Sequence, residues 1–425
     1  MSDFFQNSDV ATEILSRLST KDLLSARCVS KAWNSFISHP AFLRIHSQCW
    51  TCPSALFFVI REMNGAGYRS FFHLKKAIYI GLHDSSSEVQ NTLFRFLPER
   101  VVLIASSNGI LCCHSMVPYA TIKKSPDACL ELSIVIYVCN PVTKEWVDLE
   151  PIRIGDSLLG FEATRISNTT LFFGFAFYPN GFSANNTKPC FKLVGIQNSN
   201  ELSKSNPNEL SNSYSFLIYS SMTKVWKTSE EVCYCNYKID QKHAISVGHM
   251  FHWLTMSHYI ITFDVEKELS AVIKLPGPET AGVECLGNSE GYLHCVTATL
   301  TKFQVWILKD YCKPEWMLKH KLNLVEFCRE HAQLLGHHLL PQLETCEPET
   351  VPSAYMEPLA FHEEVLCMLV KPGKVFSYSF KTRKLSSHYT AFAVDGYVRR
   401  YPVIPHSDSL TSINVAEGDQ ISGPS

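Results

Sequence analysis

Ile134-Val135-Ile136-Tyr137-Val138-Cys139, followed at once by Asn140-Pro141-Val142-Thr143-Lys144-Glu145-Trp146, reads as a buried strand, a tight turn and a returning strand. Asn-Pro starts a turn because the asparagine side chain bonds its own backbone while proline presets φ. Trp146 then comes back to a packed face. Upstream, Ser106-Ser107-Asn108-Gly109-Ile110-Leu111-Cys112-Cys113 is an Asn-Gly turn leading into a buried strand, for which 134–139 is the natural partner.

Working outward, the same unit recurs. Phe216-Leu217-Ile218-Tyr219 precedes Ser220-Ser221-Met222-Thr223-Lys224-Val225-Trp226, and Ile260-Ile261-Thr262-Phe263-Asp264 precedes Val265-Glu266-Lys267-Glu268 and Ile273-Lys274-Leu275-Pro276. Further copies run from Phe303 to Ile307 with Trp316, and from Val375 to Phe380 with Thr382-Arg383-Lys384-Leu385. Apolar runs at 172–177, 249–254, 291–296 and 365–370 read as buried strands between them. Trp146 and Trp226 stand about two repeat lengths apart, and Leu269 and Trp316 follow at about one each, for a repeat of roughly 40 to 50 residues. That period suits a β-propeller blade, so 55–403 is expected to hold roughly six to eight blades. A pair of packed β-sandwiches is the alternative.

Residues 1–48 have a different texture. Asp9 can cap a helix carrying Val10, Ile14, Leu15 and Leu18; Thr20 is suited to cap Lys21 to Arg27, with Asp22 in the first turn and Leu23 and Leu24 as apolar surface. Ser30 caps Lys31 to Ser38, where Trp33, Phe36 and Ile37 form a stripe, and His39-Pro40 stops it; Phe42 and Ile45 suggest a further short turn. Three such short helices bury too little surface to stand comfortably alone. Exposed apolar residues here would mean an interface; the other reading is a helical bundle packed on the next domain.

Glu13-Ile14-Leu15-Ser16-Arg17-Leu18, Leu23-Leu24, Arg27-Cys28-Val29-Ser30-Lys31-Ala32-Trp33 and Phe36-Ile37-Ser38-His39-Pro40-Ala41-Phe42 resemble an F-box, the third run being typical of plant members. The resemblance implies docking on a Skp-type adaptor, and through it on a cullin and a RING subunit. The candidate adaptor-binding residues are Val10, Ile14, Leu15, Leu18, Leu23, Leu24, Val29, Trp33, Phe36 and Ile37. Two departures stand out: Gln6-Asn7 replaces the Leu-Pro that opens many F-boxes, and Leu18 is followed by Ser19 rather than proline. The hairpin units in turn resemble the F-box-associated, kelch-like region of plant F-box proteins, which implies an architecture and no particular ligand. The expected layout is multidomain: a three-helix F-box at 1–48, an all-β propeller-like domain at 55–403, and a disordered tail at 404–425. The function so implied is that of a non-catalytic substrate-recognition subunit of a Skp–cullin–F-box ubiquitin ligase, with an unknown target protein. A glycan- or small-ligand-binding propeller and a propeller enzyme are the alternatives.

Composition narrows the partners. A formal net charge of -2 and a pI near 6.8 leave no excess positive potential for nucleic acid or an anionic membrane. The start Met1-Ser2-Asp3-Phe4-Phe5 lacks a basic, then apolar, leader, and no run approaches the roughly 18 apolar residues of a spanning helix, so an intracellular chain, nuclear or cytoplasmic, is expected. The 16 cysteines then read as free thiols, and the sequons at Asn168 and Asn185 as chance. Cys49-Trp50-Thr51-Cys52 lacks the second pair of a zinc site. His249 and His252 would point to opposite faces of a strand, and His362-Glu363-Glu364 lacks the second histidine of a zinc protease helix. No metal, cofactor or catalytic residue is expected; Cys112, Cys113, Cys233 and Cys235 read as core.

Overall fold

In a computed structural model of the chain, four of the five repeated hairpins share one backbone solution. Lys144, Lys224, Glu268 and Arg383 have φ of 61°, 57°, 52° and 54°, and each closes the tight turn joining the last two strands of a four-stranded unit. A left-handed residue there lets the turn match the twist of the two strands it joins. The structure describes residues 8–49, 53–62, 74–82, 93–115, 119–122, 130–150, 152–154, 171–182, 188–198, 213–240, 244–277, 282–299, 301–336, 356–370, 374–388 and 403–413. The Asn/Ser-rich segment after 198, the acidic stretch 341–352, both sequons, Gln6-Asn7 and Cys52 lie outside these residues.

The helical module contains α1 (Ser8–Leu15), α2 (Thr20–Arg27), α3 (Lys31–Ile37) and α4 (Pro40–Cys49). Four helices stand where three were expected, because Phe42 and Ile45 belong to a full ten-residue helix rather than a turn. The β-domain opens with β1 (Ala55–Glu62) and β2 (Leu74–Gly81). The next sheet is β3 (Val101–Ser107) and β4 (Ile110–Ser115), then, past the small strands β5 (Tyr119–Ile122) and β6 (Leu130–Ile134), β7 (Ile136–Cys139) and β8 (Trp146–Asp148); β9 (Ile152–Ile154) joins β5 and β6 in a side sheet. Three more meanders follow: β10 (Leu171–Tyr178), β11 (Cys190–Asn198), β12 (Ser213–Ser220) and β13 (Val225–Tyr234); then β14 (Ile245–Val247), β15 (Met250–Leu254), β16 (Tyr259–Asp264) and β17 (Leu269–Lys274); then β18 (Gly282–Ser289), β19 (Tyr292–Ala298), β20 (Lys302–Leu308) and β21 (Trp316–Asn323). After α5 (Leu324–Glu330) and α6 (Ala332–Leu335) comes the meander β22 (Met356–His362), β23 (Val365–Val370), β24 (Lys374–Ser379) and β25 (Lys384–His388). Last, β26 (Val403–His406) returns to pair antiparallel with β1, Phe57 opposite Ile404.

The first strands β3, β10, β14, β18, β22 and β26 each touch the next, and β26 touches β3, so the ring closes. Among the described residues the domain is therefore a six-bladed propeller, at the low end of the expected range and not a sandwich pair. Each junction holds its own apolar core. Phe175 and Phe177 pack on Ile110 and Val138 between the second and third blades, and Phe57 and Ile404 pack on Leu111 and Cys139 where the ring closes. Second strands such as β4 and β23 are buried along nearly their whole length, whereas fourth strands such as β17 are largely exposed.

Three sequence expectations change. Trp146 and Trp226 lie in consecutive blades, so the long separation between them is connection rather than a missing blade. The register places Ser270, opposite Phe263, where Trp226 stands opposite Tyr219; Leu269 is the residue before the tryptophan position. The indole of Trp226 donates to Glu150 O at 3.3 Å and that of Trp316 to Lys274 O at 2.9 Å, so these tryptophans latch each blade to the previous one. Finally, 404–413 is not a disordered tail: it supplies the closing strand and a packed extension containing the buried Leu410 and Ile413.

Buried histidines sit in the blade junctions. His252 is fully covered; its Nδ1 lies 3.0 Å from Ile245 O and its Nε2 2.8 Å from the Tyr311 hydroxyl of the next blade, and burial holds its pKa down to about 4. An unfolded chain takes up that proton near pH 6.5, so this contribution to stability is complete above about pH 6.5 and is lost as pH falls toward 4. Melting temperature is expected to fall between pH 7 and 5, and to fall less in His252→Gln; equal slopes in thermal melts would show that the junction does not sense pH.

Candidate adaptor-docking surface

Each helix of the N-terminal module divides into an inward and an outward face. On α1, Ala11 and Leu15 are buried four residues apart, while Val10 and Ile14 are 47% and 49% exposed on a neighbouring stripe. Leu15, Leu23, Ile37 and Phe42 form the module's core, with Leu18, Leu24, Trp33, Phe36 and Leu43 packed against it. Burying each of the first four contributes about 1.5–3 kcal/mol. Leu15, Leu23 and Ile37, at 0–1% exposure, are therefore withdrawn from the expected docking set. Leu18, Leu24, Trp33 and Phe36 are half-buried and can serve both core and surface.

Capping fixes the path of the chain. Ser19, not Thr20, caps α2: its Oγ accepts from Asp22 N at 3.2 Å, and Thr20 becomes the first, buried helical residue. Ser30 Oγ accepts from Trp33 N at 3.2 Å, as read from the sequence. His46, buried on α4, lies 3.0 Å from Leu18 O through Nε2 and stacks on Phe42, pinning α4 to the end of α1; burial lowers its pKa. Val29, 60% exposed, sits between α2 and α3. Ile45 of α4, 40% exposed, is a further surface aliphatic that the sequence pattern gave no reason to place outward.

Residues 72–338 match the family described as "F-box protein At3g26010-like, beta-propeller". The chain belongs to that family. Residues 7–45, the helical module, match the F-box domain. Among curated Arabidopsis thaliana proteins, F-box protein At5g49610 is 23% identical over 74% of this chain and 78% of its own length. F-box protein At3g26010 is 22% identical over 77% of this chain and 70% of its own length. The sixth blade and the closing strand lie beyond the matched propeller segment.

The F-box sits on one face of the propeller. Its core includes Leu410, from the segment after β26, and Val142, from the turn between β7 and β8, packs against it. That turn and the turns after β3, β14, β18 and β22 all open on this face. The opposite face carries the β5–β6–β9 side sheet and α5–α6, because those elements follow second or fourth strands, which run the other way.

Other polar groups are occupied in holding blades together. Lys319 Nζ bridges Glu364 at 2.6 Å and Glu290 at 2.7 Å, and His320 Nε2 lies 2.7 Å from Glu364, between the fifth and sixth blades. His249, in the turn before β15, packs edge-on against Phe182. Burial pushes the Cys112 and Cys113 thiols well up and that of Cys367 up to about 12, a setting for core thiols rather than nucleophiles. Among the described residues no three His, Cys, Asp or Glu side chains are grouped to hold a metal, and no helix is long and apolar enough to cross a membrane.

Proposed function

We propose that this F-box protein is a non-catalytic substrate-recognition subunit of a Skp–cullin–F-box ubiquitin ligase, working inside the cell. The observation that carries the reading is the pair Val10 and Ile14: two aliphatic side chains on one stripe of an F-box helix, half exposed and turned away from the module's own core. A small helical module leaves such a stripe uncovered where a partner completes it. Val29 and Ile45, with the half-buried Leu18, Leu24, Trp33 and Phe36, extend the surface offered to the adaptor. A target protein would dock on the propeller face opposite the F-box, where the side sheet and α5–α6 project. Ubiquitin transfer then needs only proximity between target lysines and an enzyme carried elsewhere in the complex.

The paired change Val10→Asp with Ile14→Asp is expected to weaken capture of a Skp-type adaptor by about 100-fold, since two charges would be buried against an apolar partner. Because both side chains lie outside the F-box core, the melting temperature should stay within about 2 °C of the parent. Undiminished capture by the folded double variant would sink the assignment of this surface.

A further inference from the structure

We propose that residues 403–413 act as a strap that fixes the F-box on the second blade, so that F-box and propeller move as one body. The strap is held to the β-domain on both sides of Leu410, the residue of the segment that enters the F-box core. His406 is buried under Phe57 and its Nδ1 lies 2.9 Å from Ser106 Oγ, locking the end of the closing strand onto β3. Its carbonyl accepts from Ser54 N at 2.8 Å, and Asp408 N donates to Ser54 Oγ at 3.0 Å, which ties the strap to the start of the β-domain just after the F-box.

Past His406 the chain crosses the Asn108-Gly109 turn so closely that a Cβ on Gly109 would lie 2.2 Å from Ser409 Cβ and 2.8 Å from Ser407 O. With φ of +81° as well, Gly109 is demanded twice over, by the turn and by the strap. Asn140, wholly buried, then grips the strap: its Nδ2 donates to Ser409 O and to Thr411 O, both at 2.9 Å, while its Oδ1 accepts from Val142 N and Thr143 N at 2.9 and 3.3 Å. Between those two carbonyls, Leu410 enters the F-box core beside Leu15, Leu23, Ile37 and Phe42. Three residues later Ile413 returns to the core between the second and third blades, its N–H donating to Glu145 Oε2 at 3.0 Å. One short segment thus closes the ring, completes the F-box core and joins the two.

The test uses hydrogen exchange on the full-length chain and two variants. Leu410→Asp removes the strap's F-box anchor. Asn140→Asp keeps the oxygen that accepts from the turn amides but replaces the donor to Ser409 and Thr411 with a second acceptor, and Asn140 is not part of the F-box core. Both are expected to raise exchange of the α1–α4 amides at least about tenfold, with exchange in β14–β21 unchanged. If Leu410→Asp alone loosens the F-box, Leu410 merely fills a core and the strap is refuted; it is equally refuted if neither variant does. Adaptor capture by the parent chain is a separate readout, so failure of the ligase reading would leave this result standing.

Discussion

A chain ending at residue 402 is expected to lose the cooperative melt shown by a chain ending at residue 413. The eleven residues between hold Val403, Ile404, Leu410 and Ile413, all buried at 1–5% exposure. Burying four such side chains contributes about 6–12 kcal/mol, the same order as the roughly 5–15 kcal/mol that separates most folded domains from their unfolded state. The loss is not confined to area. Without β26 the edge of β1 is unpaired from Ala55 to Phe58, the cores on either side of the first blade lose Val403 and Ile404, and the ring has no sixth inner strand. The shorter chain should aggregate or melt without a sharp transition by calorimetry. A melt within about 2 °C of the longer chain would show that the propeller does not depend on its closure.

Gly287→Ala is expected to destabilise the propeller strongly through a single added methyl group. Gly287 lies on β18 opposite Phe361 of β22, where the inner strands of the fifth and sixth blades pair in parallel. A Cβ built there falls 2.1 Å from Phe361 O and 2.9 Å from its carbonyl carbon. The obstacle is backbone, held by its own meander, so relief requires the two blades to separate rather than a side chain to turn. Overpacking of this kind costs about 3 kcal/mol, which in a domain of this size lowers the melting temperature by roughly 4 °C. Gly248→Ala is a useful comparison, since a Cβ there meets nothing within 4 Å and the cost is left-handed backbone strain alone, at φ +56°. Equal losses in the two variants would mean that the close approach of β18 and β22 is not what Gly287 serves.

Much of this architecture is legible in the sequence because turns are local. Asn140-Pro141 and Asn108-Gly109 mark their hairpins, and Trp146, Trp226 and Trp316 mark the outer strands, since a few adjacent residues decide each of them. Blade number is less legible, because the connections between Asp148 and Leu171 and between Asn198 and Ser213 stretch one period to the length of two. Helical periodicity located the apolar residues of α1, but periodicity alone cannot say which stripe is core. Val10 and Ile14 face out and Ala11 and Leu15 face in because of what the rest of the chain places beneath them. The strap was the least visible feature. Ser407-Asp408-Ser409-Leu410-Thr411-Ser412-Ile413 has the composition of a loop, and its meaning comes from Asn140 and Gly109, far away in sequence. Asn140 forms the turn that Asn-Pro indicates, and its two amide hydrogens are spent on the strap.

The most direct measurement of adaptor recruitment is a titration of the full-length chain with a purified Skp-type adaptor, followed by calorimetry and by co-elution in size-exclusion chromatography. Saturable one-to-one binding with a dissociation constant of about 1 µM or tighter is expected. A chain that melts cooperatively, yet gives neither heat nor co-elution at tens of micromolar adaptor, would contradict its role as an adaptor-bound ligase subunit.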